Sequence, residues 1–358
     1  MKNLKYKNKW IIALISISVL ITLFVKNNSS YAEYYAVNIY PIFVKTWGLI
    51  SFITNRSLAE LIIIVFILTI ILLTAVIIVK TVKSRTSAYI KKYIFGIASF
   101  FSVVYFVFVL FCGINYYRYE FTYYSGLEIK KSSKQELIAL CEVLIEDANE
   151  YRAKLSTDDS GTAQLFDNYY ETAGRAKDAM NKISEEYKVL KGGFSSPKAV
   201  KHSKIMSYLG ITGVFFPFTF EANVNVHIPP YQIPSVMLHE LVHLRGFMRE
   251  DEANFIAYLA SIKSGYDDFC YSGTMTALTY SMNALYSADY DEFVRLYNLY
   301  SEDVIKDMEF SRNYWKQFDT KVSEVADKIN DTYLKANNQQ DGVRSYGRMV
   351  DLLLAYYR

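Results

Sequence analysis

Two apolar runs, residues 61–79 and 93–113, restrict this chain more than anything else in its sequence. Each matches the roughly 20 apolar residues that a helix needs to cross a bilayer. Inside hydrocarbon every backbone N–H and C=O must be paired within the segment, so both runs must be helices. A third run, 10–25, follows Lys2, Lys5, Lys7 and Lys9. It reads either as a signal peptide, with Ser30-Tyr31-Ala32 as a small-residue cleavage site, or as a short uncleaved span, and the two clear spans that follow favour the second reading.

Basic residues set the expected orientation. Four lysines precede the first run, and Lys80, Lys83, Arg85, Lys91 and Lys92 lie between the second and third, against Lys26, Lys45 and Arg56 between the first and second. The positive-inside rule then puts the amino terminus in the cytoplasm and everything after Gly113 outside. Tyr116, Tyr117, Tyr119, Tyr123 and Tyr124 fit an aromatic belt at that outer surface, a weak signal in a chain with 32 tyrosines. The expectation is a multi-pass protein of the cytoplasmic membrane, with residues 1–113 in or at the lipid bilayer and 114–358 forming an outer domain. A net charge of +3 gives no reason to expect a nucleic-acid partner. Cys112, Cys141 and Cys270 form neither a zinc-ribbon spacing nor a disulfide framework; at most Cys141 and Cys270 pair.

Chemistry concentrates at residues 234–254, PSVMLHELVHLRGFMREDEAN. On a helix His239 and His243 stand on successive turns of one face and can grip one metal ion, with Glu240 beside the first of them. Zinc in such a site makes a water acidic enough to ionise near pH about 7, and Glu240 takes its proton as the water attacks a carbonyl. Pro234 suits the first helical turn and Gly246 the C-terminal cap. Met237, Leu238, Leu241, Val242 and Leu244 cover the rest of the helix, which predicts a buried helix with one polar strip. The chain has only four histidines, so two at this spacing around a glutamate argue against coincidence.

A catalytic zinc keeps three protein ligands and one open position. Gly246 matches the glycine of the longer HExxHxxGxxH pattern, but Arg249 stands where its third histidine belongs and cannot ligate. The acids Glu250, Asp251 and Glu252 open the next apolar-periodic segment, EANFIAYLA, which is expected to pack back on the first helix. Upstream, Ser133 and Glu136 form a capping box before Leu137, Leu140, Leu144 and Ala148. A second helical segment runs over 163–190. Residues 211–228 change to a β pattern, with Val224, Val226 and Ile228 alternating against Asn223, Asn225 and His227. In zincin peptidases an edge strand before the HExxH helix binds extended substrate by backbone pairing, which makes Asn223 and Asn225 candidates for orienting a peptide. His227 is expected to be a turn residue before Pro229. Residues 289–327 read as solvated helix. The polar loop 337–347 holds Arg344 and Tyr346, candidate donors to a developing oxyanion.

The segments FFPFTFEANVNVHIP, HELVHLRGFMREDEANFIAYLA and NDTYLKANNQQDGVRSYGRMVDLLLAY resemble an uncharacterised family of bacterial polytopic membrane proteins, domain of unknown function 3810. The resemblance runs through nearly the whole chain and implies a zincin-like, mainly helical fold with a small β element behind the membrane helices. More broadly the site resembles gluzincins. Glu250-x-x-Ala253-Asn254 is similar to their E-x-x-A-D/N element, which implies Glu250 as third zinc ligand with Glu252 in reserve, although only six residues separate His243 from Glu250. The expected function is a membrane-anchored zinc metallopeptidase acting outside the cytoplasmic membrane on a peptide or protein. The alternative is a non-catalytic binding or sensory module of the same fold. An intramembrane protease is disfavoured, because Arg245, Arg249, Glu250, Asp251 and Glu252 crowd the site and residues 234–245 are too few to span.

Overall fold

The computed structural model of the chain describes residues 9–193, 195–339 and 348–358. Its first part is built from three helices, α1 (Lys9–Lys26), α2 (Leu58–Ser84) and α3 (Ala88–Phe111), each long and apolar enough to cross a membrane. They contain the three apolar runs, except that Cys112 and Gly113 turn off into a short 3₁₀ segment. None of the most apolar window of α2 is buried, as expected of a surface whose solvent is lipid. Val25, Ala32, Val109 and Ile114 pack together where α1 meets the end of α3. Ala32, the residue before the alternative cleavage point, is fully buried there.

The chain between α1 and α2 does not stay with the apolar helices. Tyr40 donates to the Leu244 carbonyl at 3.4 Å, Trp47 to the Phe218 carbonyl at 3.0 Å, and Arg56 bridges to Ala199. The carboxylate of Glu221 accepts from the backbone N–H of Leu58 at 3.2 Å and of Ala59 at 2.8 Å. It thus satisfies two of the unpaired donors at the start of α2 and favourably faces the positive end of that helix.

The C-terminal half is mainly helical. In α4 (Lys134–Ala153) the Ser133/Glu136 capping box forms as the sequence predicts. α5 (Tyr169–Glu186) is shorter than the 163–190 expected, because the residues ahead of it form a loop bridged from Thr157 to Ala163 and Asn168 caps the helix. Then come α6 (Ile233–Leu244), α7 (Glu250–Ile262), α8 (Asp267–Ala288), α9 (Tyr290–Tyr297), α10 (Glu302–Lys316), α11 (Lys321–Ala336) and α12 (Arg348–Tyr356). Residues 211–228 supply two strands rather than one, β2 (Gly213–Phe216) and β3 (Glu221–Asn225), because Pro217 cannot donate to a ladder and the chain turns back through Phe220 at φ 53°. β3 is central, parallel to β1 (Lys198–Val200) and antiparallel to β2, with Val214 opposite Asn223.

One apolar core runs from Tyr40, Val44 and Phe111 through α4 and α5 to α6, α7, α8 and α12. Within it Arg152 meets Asp307 at 2.6 Å, both side chains at most 1% exposed. Asp307 also accepts from the Tyr271 hydroxyl at 2.7 Å and the Ala163 N–H at 2.8 Å, so both oxygens of the buried carboxylate are bonded, and Arg152 donates further to the Gly161 carbonyl at 2.9 Å.

Candidate functional site

The helix at the centre of the site is α6. Pro234 sits in its first turn, and Gly246, at φ 82°, ends it in the left-handed region. A side chain at 246 would also meet the Arg118 guanidinium and the Asn115 amide at 3.3 Å, so glycine answers two demands there. Arg118 donates to the Arg245 carbonyl at 3.1 Å, lies 4.0 Å over the Phe247 ring and pairs with buried Glu33 at 2.9 Å. The turn after α6 is thereby tied to the segment that follows α1.

His239 and His243 project from one face of α6, their rings 4.6 Å apart and nearly perpendicular. Each ring is held by its inner nitrogen: His239 Nδ1 lies 2.8 Å from Asn254 Oδ1 and His243 Nδ1 lies 2.8 Å from the Phe247 carbonyl. Both acceptors require a proton on Nδ1 in the neutral rings, which leaves each Nε2 with its lone pair. The two Nε2 atoms converge on one carboxylate, with Glu250 Oε2 at 3.2 Å from His239 and Oε1 at 3.6 Å from His243. Glu250 begins α7, so the turn 245–249 folds the acid back over the two imidazoles. His239, His243 and Glu250 each offer a ligand atom within 4.8 Å of the others.

Glu240 lies beside this cluster, 4% exposed, with Oε2 bonded to nothing among the described residues. Its carboxylate is packed against β2: a Cβ at Gly213 would stand 2.5 Å from Oε1. Burial pushes the Glu240 carboxyl up to about 8, offset in part by His239. Burial works against charge on His239 as well, but the Glu250 carboxylate outweighs it and lifts the imidazole to about 9. His243, buried and beside that charge, is pushed down to about 4. Glu250 is held below the usual carboxylate range because the two imidazoles overcome the effect of its burial.

The other residues singled out from sequence fall elsewhere. Glu252 turns away from the imidazoles, accepting from the Phe121 N–H at 2.6 Å and pairing with Arg249 at 3.0 Å. Asn223 and Asn225 are buried in the central strand rather than displayed along an edge. Asn223 takes the Ser57 hydroxyl at 2.6 Å, and Asn225 donates to the Ile211 carbonyl at 2.9 Å and the Ser207 hydroxyl at 3.0 Å. Their side chains hold the sheet together, since a strand with neighbours on both sides has no free backbone for a peptide to pair with. The edge beside α6 is β2. His227 is a turn residue whose Nδ1 lies 2.9 Å from the Tyr314 hydroxyl. Arg344 and Tyr346 lie outside the described residues.

Two contributors were not assigned a role from sequence. Asn254, the last residue of the E-x-x-A-N element, orients His239 and also reaches the Tyr280 hydroxyl at 3.4 Å. Gly213 makes room for Glu240, and its only sequence signal was a glycine inside a β pattern.

Residues 35–354 match the family described as protein of unknown function (DUF3810). The chain belongs to this family. The DUF3810 match takes in α2, α3 and the whole His239–Asn254 cluster, so helices apolar enough for a membrane and the polar site occur together in one family unit. No curated protein and no solved structure matches the chain.

Proposed function

We propose that the chain is a membrane-anchored zinc metallopeptidase of zincin type, its site facing outward from the cytoplasmic membrane. His239, His243 and Glu250 hold the metal, and Glu240 is general base and then general acid. The observation that carries this reading is the convergence of both Nε2 atoms on Glu250 at 3.2 and 3.6 Å. Ligand atoms about 2.1 Å from a tetrahedral zinc stand about 3.4 Å from one another; the two His–Glu250 distances, to the two carboxylate oxygens, bracket that value, and one ligand atom from each residue lies within 4.8 Å of the others. Fixing the Nδ1 atoms on Asn254 and Phe247 orients the donors in the manner that metal sites use.

Zinc, when bound, supplies Lewis acidity toward a carbonyl and toward a water. Glu240 supplies the proton traffic. Its buried Oε2, bonded to nothing among the described residues, would accept a proton from the attacking water and return it to the leaving amine, acting in the ionised form that a bound cation would favour over the raised, metal-free carboxyl. The Gly213–Phe216 edge offers backbone groups to an extended peptide beside Glu240, with Phe215 (ring 6.5 Å from that of His243) closing one side. With the basic residues counted as above, this arrangement faces away from the cytoplasm.

The test uses the full-length chain, purified in detergent. Wild type is expected to carry one zinc per chain and to cleave members of a quenched fluorogenic peptide library. Glu240→Gln should keep the zinc and lose cleavage, and His239→Ala should lose both. Metal-free wild type sinks the metal site. Full hydrolysis by Glu240→Gln sinks the base. Zinc with no cleavage by wild type favours the binding or sensory alternative.

A further inference from the structure

Helix α11 carries apolar side chains that the other described residues leave largely exposed. Val322, Val325, Ile329 and Tyr333 are 54, 56, 65 and 40% exposed. Spaced three and four apart, they form one stripe, while Ser323, Ala326 and fully buried Leu334 turn toward the protein. Lys321, Lys328 and Lys335, all exposed, recur every seven residues and line one margin of the stripe. Glu324, Asp327 and Asp331 lie beyond them. An isolated apolar stripe says little by itself, but this one has a neighbour. Tyr333, its last member, sets its ring edge-on to Phe108 of α3 at 6.3 Å and its hydroxyl 3.0 Å from that of Tyr116. The stripe therefore continues the apolar surface of α3 near the end of that helix.

We propose that α11 lies in the interfacial layer of the bilayer, its apolar stripe at the acyl boundary and its lysine row on the phosphates of anionic lipid headgroups. A short amphipathic helix of low overall hydrophobicity with lysines beside the apolar face is built for that layer. The long lysine stems reach up to the headgroups while the valines and Ile329 sit below. The inference rests on the membrane reading of α2 and α3 and not on the metal. It also places the site. Cys112, at the end of α3, contacts Met248 in the turn between α6 and α7 at 3.7 Å, and Tyr333 borders the same cysteine. With α11 in the interface, this contact holds the turn that leads into Glu250 close to the lipid surface.

The three native cysteines are buried, so a single spin label can be placed on the full-length chain. Labels go on Ile329→Cys, on Glu324→Cys beyond the lysine row, and on Leu68→Cys in α2 as a reference. The chain is reconstituted in nanodiscs of mixed phosphatidylcholine and phosphatidylglycerol, and depth is read from relaxation by oxygen against a water-soluble nickel chelate. The expected result is a label at 329 about 5–10 Å below the phosphates, a water-exposed label at 324 and a deeply embedded label at 68. A water-exposed label at 329 beside an embedded label at 68 overturns the proposal. A water-exposed label at 68 overturns the membrane reading and the proposal with it. Dipolar coupling between two 329 labels in discs holding two chains assigns the stripe to a second copy and overturns the lipid assignment. Replacing Lys321, Lys328 and Lys335 by glutamine should lift the 329 label toward water, and an unchanged depth removes the lysines from the proposal.

Discussion

Asn254→Ala probes the candidate metal centre without touching a ligand. Asn254 Oδ1 holds His239 Nδ1 at 2.8 Å, and the Asn254 amide in turn reaches Tyr280 at 3.4 Å. Removing that acceptor leaves a donor without its partner and frees the ring to rotate, so Nε2 no longer points at Glu250 by default. Loss of such an outer partner costs about 10–100-fold in metal affinity, or roughly 1.4–2.8 kcal/mol at 1.4 per decade. The bond is short and Asn254 is only 9% exposed, which leaves little room for water to take over and puts the expectation in the upper half of that range. The assay is competition for zinc between full-length protein and a chromophoric chelator at neutral pH. Glu252→Gln, two residues earlier on the same helix, is the control. Its partners are Phe121 and Arg249, so it should lower stability and leave zinc affinity alone. Wild-type affinity in Asn254→Ala, or loss of zinc in Glu252→Gln, would falsify the assignment of these two side chains.

Gly213→Ala should leave zinc content unchanged and cut hydrolysis about 100-fold, the loss that a displacement of about 1 Å produces, because the new methyl would stand 2.5 Å from Glu240 Oε1 and 2.7 Å from Val236 Cγ1. Undiminished cleavage would show that Glu240 is not confined by β2. Zinc affinity should rise with pH: His239, lifted to about 9 without metal, is protonated at neutral pH and must release that proton to bind. The expected slope is about tenfold per pH unit below pH 9, with one proton released per zinc when titrations are compared in buffers of different ionisation enthalpy. A flat profile contradicts the raised imidazole. Asp307→Ala should destabilise the chain by about 3–5 kcal/mol by leaving Arg152 buried without its partner. Thermal unfolding of the detergent-solubilised protein at the wild-type midpoint would refute that.

The helices were legible wherever sequence pattern and tertiary environment agree. The apolar runs of α1, α2 and α3 need only length and composition, and the start of α4 is written in Ser133 and Glu136. His239, Glu240 and His243 were legible because helix geometry alone puts the two imidazoles together. The choice between Glu250 and Glu252 was not, since it depends on how far the turn after Gly246 rotates α7. Arg118 helps to set that turn from more than a hundred residues away. The hairpin at 211–228 hid behind a run of strand-forming residues in which Pro217 was the only break. α8 gave little periodic signal because it is buried nearly all round, and its apolar positions are filled by small and hydroxylated side chains such as Ser272, Gly273 and Thr274. Asn223 and Asn225 alternate as solvent-facing residues do, yet both faces of β3 are covered.

The grip of Glu221 on Leu58 and Ala59 decides how this protein can be handled. A fragment starting after the third helix would strip from Glu221, which is fully buried in the whole chain, both backbone amides that bond it and leave it only the Thr219 hydroxyl, and it would also lose the Ser57 hydroxyl on Asn223 and the Tyr40 and Trp47 side chains. Such a piece would begin with a hole beside its sheet and a carboxylate short of partners. The C-terminal half and the segment ahead of α2 are therefore one structural unit, and a version lacking the three apolar helices would need the stretch from Ser29 to Glu60 grafted back onto it.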